Sequence, residues 1–106
     1  SDSTSAPQSL FMMNNPAVLS TAEAVVAGLL KSAGDDGSRI AWLYQRLLCR
    51  HPTAEEGRLA SRTLSESREV RRRLVEFGSK TAGGPDGPWQ DLCMALLCSN
   101  EFIYVD

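Results

Sequence analysis

The stretch Ser38-Arg39-Ile40-Ala41-Trp42-Leu43-Tyr44-Gln45-Arg46-Leu47-Leu48-Cys49-Arg50-His51-Pro52-Thr53-Ala54-Glu55-Glu56 reads as one helix, a stop, and the start of a second helix. Ile40, Leu43, Tyr44, Leu47 and Leu48 recur at i, i+3, i+4, i+7 and i+8, which puts them on one face of an α-helix. Ser38 is the expected N-cap, preceded by a turn at Asp35-Asp36-Gly37. Arg46 and Arg50 lie toward the C-terminal end, where cations suit the helix dipole. His51-Pro52 stops the helix, because the residue before a proline is pushed out of the α region. Thr53 then sits three residues before Glu56, the spacing of a reciprocal capping box.

The same periodicity extends upstream. Asn15-Pro16 predicts an N-cap followed by a proline at the first helical position, where no N–H is lost. Val18, Ala22, Val25, Val26 and Leu29 form one stripe behind it, with Gly34 as the expected left-handed C-cap. Ser20 with Glu23 is a competing start one turn later. Further upstream, residues 1–6 read as a disordered tail. Ser5 with Gln8, and Pro7 between them, then introduce a brief helix carrying Leu10, Phe11, Met12 and Met13.

Downstream, the helix after Thr53 carries Leu59, Ala60, Thr63 and Leu64, then Val70, Leu74 and Phe77. Ser65-Glu66-Ser67 predicts a kink or break in its middle. Gly78 to Pro88 contains four Gly and two Pro and reads as a loop. Pro88 is the expected start of a last helix with Trp89, Leu92, Cys93, Leu96 and Leu97 on one face, ending at Asn100. Glu101 to Val105 is aromatic and β-branched, and reads as a short extended tail. With the equally apolar Leu10–Met13 segment, it is expected to dock over Trp89–Cys98 with Phe102 in the core. The expected fold is therefore all-α, a small bundle of four to five helices in one domain over residues 7–106.

Composition agrees. Ala and Leu number 24 against eight Val and Ile, a helical bias, and 42% of the chain is hydrophobic. The net charge of −2 makes electrostatic capture of nucleic acid or of a membrane surface unexpected. No apolar run approaches the ~20 residues of a membrane span, and the Ser-rich opening does not read as a signal peptide.

Few residues point to chemistry. Cys49, His51, Cys93 and Cys98 are of zinc-binding type, yet they lack the paired C-x₂₋₄-C or H-x₃₋₅-H spacing of a chelate. The three cysteines read as small apolar fillers, and His51 as a cation at a helix end. The loop at Gly83-Gly84-Pro85-Asp86-Gly87-Pro88 lacks the Lys-Ser/Thr of a phosphate-binding loop. Arg58, Arg62, Arg68, Arg71, Arg72 and Arg73 could suggest DNA reading, but Glu55, Glu56, Glu66, Glu69 and Glu76 interleave with them. That is the pattern of a solvated, salt-bridged helix face. No catalytic, cofactor-binding or metal-ligating residue is assigned, and no cofactor is expected.

Three stretches carry a resemblance: Pro7-Gln8-Ser9-Leu10-Phe11-Met12-Met13-Asn14-Asn15-Pro16; Arg39 to Tyr44 running through Leu48-Cys49-Arg50-His51-Pro52-Thr53 to Glu56; and Trp89 to Asp106. Together they resemble the C-terminal end of the planctomycete-type domain of unknown function found in large exported bacterial proteins. That domain often follows a cytochrome-c-like module. Family members tend to have Gly where this chain has Cys49, and Asn where it has Cys98. The resemblance implies a helical C-terminal segment of an exported or periplasmic parent, and brings no catalytic residues. The expected function is a non-catalytic scaffold or interaction module. Its expected partners are the upstream domains of the parent, or a second chain reached through the C-terminal aromatic tail. The alternative is an accessory segment of a polysaccharide-processing or redox enzyme whose active site lies elsewhere in the parent.

The capping box makes a direct prediction. Thr53→Ala should lower stability by about 1 kcal/mol in chemical denaturation, and a loss below ~0.3 kcal/mol would mean that Thr53 is not the cap.

Overall fold

Asn15 opens the first helix as its spacing requires: its side-chain oxygen accepts the Ala17 amide at 2.8 Å, and Pro16 takes the first helical position. The computed structural model describes residues 14–32 and 34–99, which form four α-helices and, among the described residues, no strand. These are α1 (Pro16–Lys31), α2 (Asp36–Leu48), α3 (Ala54–Glu76) and α4 (Asp86–Leu97). The brief helix expected at Leu10–Met13 and the docking of the tail with Phe102 lie outside the described residues, whereas α4 closes at Leu97, ahead of the expected stop at Asn100, because the Cys98 amide turns back to the Met94 and Leu96 carbonyls.

Several ends differ from expectation, each for a local reason. The competing start at Ser20 is not used, since Asn15 caps one turn earlier. Gly34 is not the C-cap of α1. The helix closes at Lys31 because the amide and hydroxyl of Ser32 both turn back to the Leu29 carbonyl, and Arg39 donates to the Ser32 carbonyl at 3.2 Å. Ser38 does not cap α2. Asp35 does, its carboxylate accepting the Ser38 amide at 2.9 Å, so Asp36 and Gly37 are helical rather than a turn. That hydrogen bond holds the Asp35 carboxyl below its ordinary range.

α2 closes at Leu48, ahead of His51-Pro52, because Cys49 adopts the left-handed conformation with φ 58° and ψ 32°. α3 does not break near Ser65 and runs unbroken for 23 residues. Ser65 faces solvent, and the Ser67 hydroxyl bonds Asp91 of α4 instead of competing for the helix backbone. α4 begins two residues before Pro88, with Pro85 preceding it as a cap that makes no side-chain bond. Pro88 is tolerated there because the first N–H groups of a helix have no intrahelical acceptor.

The core follows the stripes. Val18, Ala22, Val26 and Leu29 of α1, Ile40, Leu43 and Tyr44 of α2, and Ala60 and Leu64 of α3 are buried. Trp89, Leu92, Cys93, Leu96 and Leu97 of α4 join them, and α4 packs chiefly on α1 and α3. Trp42 ties α2 to α1: a Cβ on Gly28 would stand 3.8 Å from its ring. The rest of the α3 stripe is the exception. Leu59, Val70, Leu74 and Phe77 are exposed, Phe77 at 89%.

The left-handed Cys49 yields a prediction. A non-glycine residue there costs about 1–2 kcal/mol of backbone strain. Glycine removes that strain but raises the freedom of the unfolded chain, by about 0.5–1 kcal/mol. Cys49→Gly should therefore stabilise the protein by about 0.5–1 kcal/mol and raise its melting temperature by a few degrees. A lowered melting temperature would show that Cys49 makes contacts worth more than the strain.

Candidate functional site

Three surfaces carry the side chains with chemical potential: the α2–α3 junction, the arginine-rich face of α3, and an apolar stripe beside that face. At the junction, Glu56 is held from two sides. Arg50 donates from both terminal nitrogens to its two carboxylate oxygens, at 2.7 and 2.8 Å, while the Thr53 amide donates to Oε1 at 2.8 Å. The Glu56 amide in turn donates to the Thr53 hydroxyl at 3.1 Å, completing the capping box. Arg50 also lies over the Tyr44 ring, 5.8 Å from its centre. The hydrogen bonds from Arg50, then the one from the Thr53 backbone, lower the Glu56 carboxyl from 4.5 to about 2. The assembly is a clamp that fixes α3 to α2.

Beside it runs a shallow groove lined by Ser38, Trp42, Gln45, Arg46 and His51, with Arg46 stacked over Trp42 at 5.9 Å. His51 is exposed and so is Cys49, whereas Cys93 and Cys98 are buried in the α4 layer. The structure thus separates the four residues of zinc-binding type. Among the described residues, no three His, Cys, Asp or Glu come together as a metal ion would need. Burial pushes the Cys93 thiol up to about 11, which disfavours the nucleophilic thiolate.

On α3 the arginines face carboxylates. Arg68 forms a two-point pair with Asp36 of α2, at 2.6 and 3.1 Å. Arg71 reaches Asp91 of α4 at 3.0 Å and Ser67 at 3.2 Å. Its guanidinium crosses Gly87 where a Cβ would stand, so glycine there keeps the Arg71–Asp91 pair open. Arg72 joins Glu69 at 2.8 Å and also Glu76, and Arg73 bonds Glu69 at 3.2 Å. Hydrogen bonds from Arg72, with Arg73 adding to them, bring the Glu69 carboxyl to about 2. Four of the six arginines therefore sit against carboxylates of this chain. That leaves little cationic surface for phosphates, and two of the four lock α3 to its neighbours.

The third surface was not legible as a site. Leu59, Val70 and Leu74 of α3 and Phe77, its C-cap, are all exposed, by 48% to 89%. The sequence does hold a signal for it. Counting from Ala60 and Leu64, the inward phase of the helix passes next through Ser67 and Arg71, both polar. Val70 lies about 120° round the helix from Leu64. The apolar residues thus leave the buried side halfway along, and a pattern read as one continuous stripe misses the turn. Along this surface, a small groove of about 270 Å³ opens at Leu59, Thr63 and Ala95, and a second depression lies at Val70, Leu74 and Asp91.

The comparisons with known proteins concern the first part of this architecture. The family model described as PSD1, protein of unknown function (DUF1553), matches residues 1–64. The chain belongs to this family. The match takes in α1, α2, the Arg50–Glu56 clamp and the first half of α3, so the clamp lies wholly within the family pattern. The second half of α3 and all of α4 follow the matched residues. No curated protein and no solved structure matches the chain.

The clamp sets a pH dependence. A carboxyl lowered from 4.5 to about 2 contributes stability that is complete above pH 4.5 and is lost as pH falls from there toward 2. Wild type should lose denaturation free energy over that window, and Glu56→Gln should be less stable at neutral pH with a flatter acid limb. Parallel curves for the two proteins would show that Glu56 does not carry the effect.

Proposed function

We propose that this chain is a non-catalytic helical module of a larger exported protein, and that it docks on another folded surface through the exposed stripe of α3. One observation carries the reading. Leu59, Val70, Leu74 and Phe77 face solvent along one side of a 23-residue helix, while the core closes without them. Single exposed apolar residues are ordinary, but a run of them rimmed by charges is the form of a protein interaction surface. The rim here is Glu66, Glu69 and Arg73, charges that raise specificity by penalising wrong partners. The Arg68–Asp36 pair fixes α3 from behind and the Arg71–Asp91 pair fixes it at the edge of the stripe, so the stripe is presented on a rigid rod. The expectation of an exported parent comes from the family resemblance.

Oxidative footprinting tests this reading. Phe77 and Leu74 should label readily in the dilute isolated chain and several-fold more slowly in the intact parent protein. Equal labelling in the two states would refute a docking role for the stripe.

A further inference from the structure

We infer that the partner of this stripe is a second copy of the same chain, packed as an antiparallel two-fold pair of α3 helices. The inference rests on the docking role just proposed and names its occupant. Its basis is that the stripe holds both a projection and a recess to receive it. Phe77, 89% exposed, is the most prominent apolar side chain described. The groove at Leu59, bordered by Thr63 and Ala95, has about 270 Å³, below the usual size of a small-molecule site but enough for one large side chain. Leu59 and Phe77 are 18 residues apart, which is five full turns, so they lie on the same side of α3 about 27 Å from one another. An antiparallel copy related by a two-fold axis near residue 68 sets each Phe77 into the other chain's Leu59 groove. Both contacts form at once, as an isologous interface demands.

The charges fit the same register. Glu66 and Arg73 are seven residues apart on the same flank of the stripe, and Arg73, which bonds Glu69 of its own chain through Nε, is still 67% exposed. Around an axis at residue 68, Glu66 of one chain falls about three residues from Arg73 of the other, within reach of two long side chains. Symmetry makes two such pairs. Leu74 meets the aliphatic stem of Arg62, which can cover apolar surface while its head stays in water. Behind α3 the Arg68–Asp36 pair holds α2 clear of the stripe, while α4 borders it through Ala95 and Asp91 and forms one wall of the recess that receives Phe77.

Cross-linking reads the register. In a Cys49→Ser background, the Leu59→Cys chain is mixed with the Phe77→Cys chain and oxidised gently. A disulfide needs the two Cβ atoms about 3.5–4.5 Å apart. The mixture should give a covalent dimer, while either variant alone should stay uncrosslinked, its two new thiols lying about 27 Å apart. In sedimentation equilibrium at chain concentrations on the order of 100 µM, wild type should approach twice the monomer mass. Phe77→Glu should stay monomeric with an unchanged helical spectrum, since Phe77 is outside the core. Glu66→Arg should weaken association at least tenfold, and adding Arg73→Glu to it should restore most of the loss. Wild type sedimenting as a monomer, or cross-links between identical positions, would overturn the two-fold pair. Protection of Phe77 in the parent protein, together with a monomeric isolated chain, would leave the docking role standing and assign the stripe to another part of the parent.

Discussion

A helix of twelve residues that buries half of them cannot lie on a surface, and α4 sets this constraint for the whole bundle. Pro88, Trp89, Leu92, Cys93, Leu96 and Leu97 are buried and spread around more than one face of the helix. Covering them takes α1 on one side and α3 on another, with α2 closing the end. Each of those helices needs only a single stripe, because each touches the centre from outside. Trp89 is the largest of the fully buried side chains, and its removal would open the centre that the other three helices share. The polar bonds are arranged around this centre. Asp91 on the outer face of α4 takes Arg71 and Ser67, while Asp36 takes Arg68, so the long helix is fastened where its apolar contacts run out.

How much of this was legible in the sequence depended on whether the deciding physics was local. Asn15-Pro16 and Thr53 with Glu56 were readable because a capping side chain reaches only two or three residues, and no distant contact competes. Asp35 was misread as a turn residue because two capping candidates, Asp35 and Ser38, stand three residues apart. The carboxylate that reaches the N3 amide wins, and Ser38 itself supplies that amide. The unbroken course of α3 depended on Asp91, 24 residues away from Ser67, which gives the serine hydroxyl a partner outside the helix. Periodicity reports which residues share a face. It does not report whether another helix lies opposite, so it does not separate the stripe through Val70 and Phe77 from core. The candidate site was thus written in the sequence as a list of apolar residues, with nothing local to say that they face outward.

Cys49 shows how a resemblance and a backbone angle can explain one another. A φ of 58° is the conformation that glycine adopts without steric penalty, and glycine is the residue that the resemblance read from the sequence implies there. The left-handed turn lets α2 end at Leu48 and redirects the chain, so that Arg50 swings back to Glu56 and over Tyr44. A non-glycine residue at that point is tolerated because the clamp behind it fixes the backbone from three directions: the two-point ion pair, the capping box, and the ring contact.

The family match covers residues 1–64, and the folded unit cannot end there. Within residues 14–64 the apolar stripe of α1 is complete, but the helix it chiefly packs on is α4. Without Trp89, Leu92 and Leu96, the α1 residues Val18, Ala22, Val26 and Leu29 would face water. At about 25 cal/mol per Å² of exposed apolar surface, four such side chains would lose several kcal/mol, comparable to the whole stability of a domain this size. Residues 65–99 are therefore part of the same cooperative structure. Their task differs, however, along α3. Its first half faces inward and carries the clamp, whereas its second half keeps the same helix going while turning its apolar residues outward. A helix that continues for three turns beyond its own core contacts, held by ion pairs to two neighbours, keeps a surface rigid without burying it. That is the property a docking surface needs and a core does not.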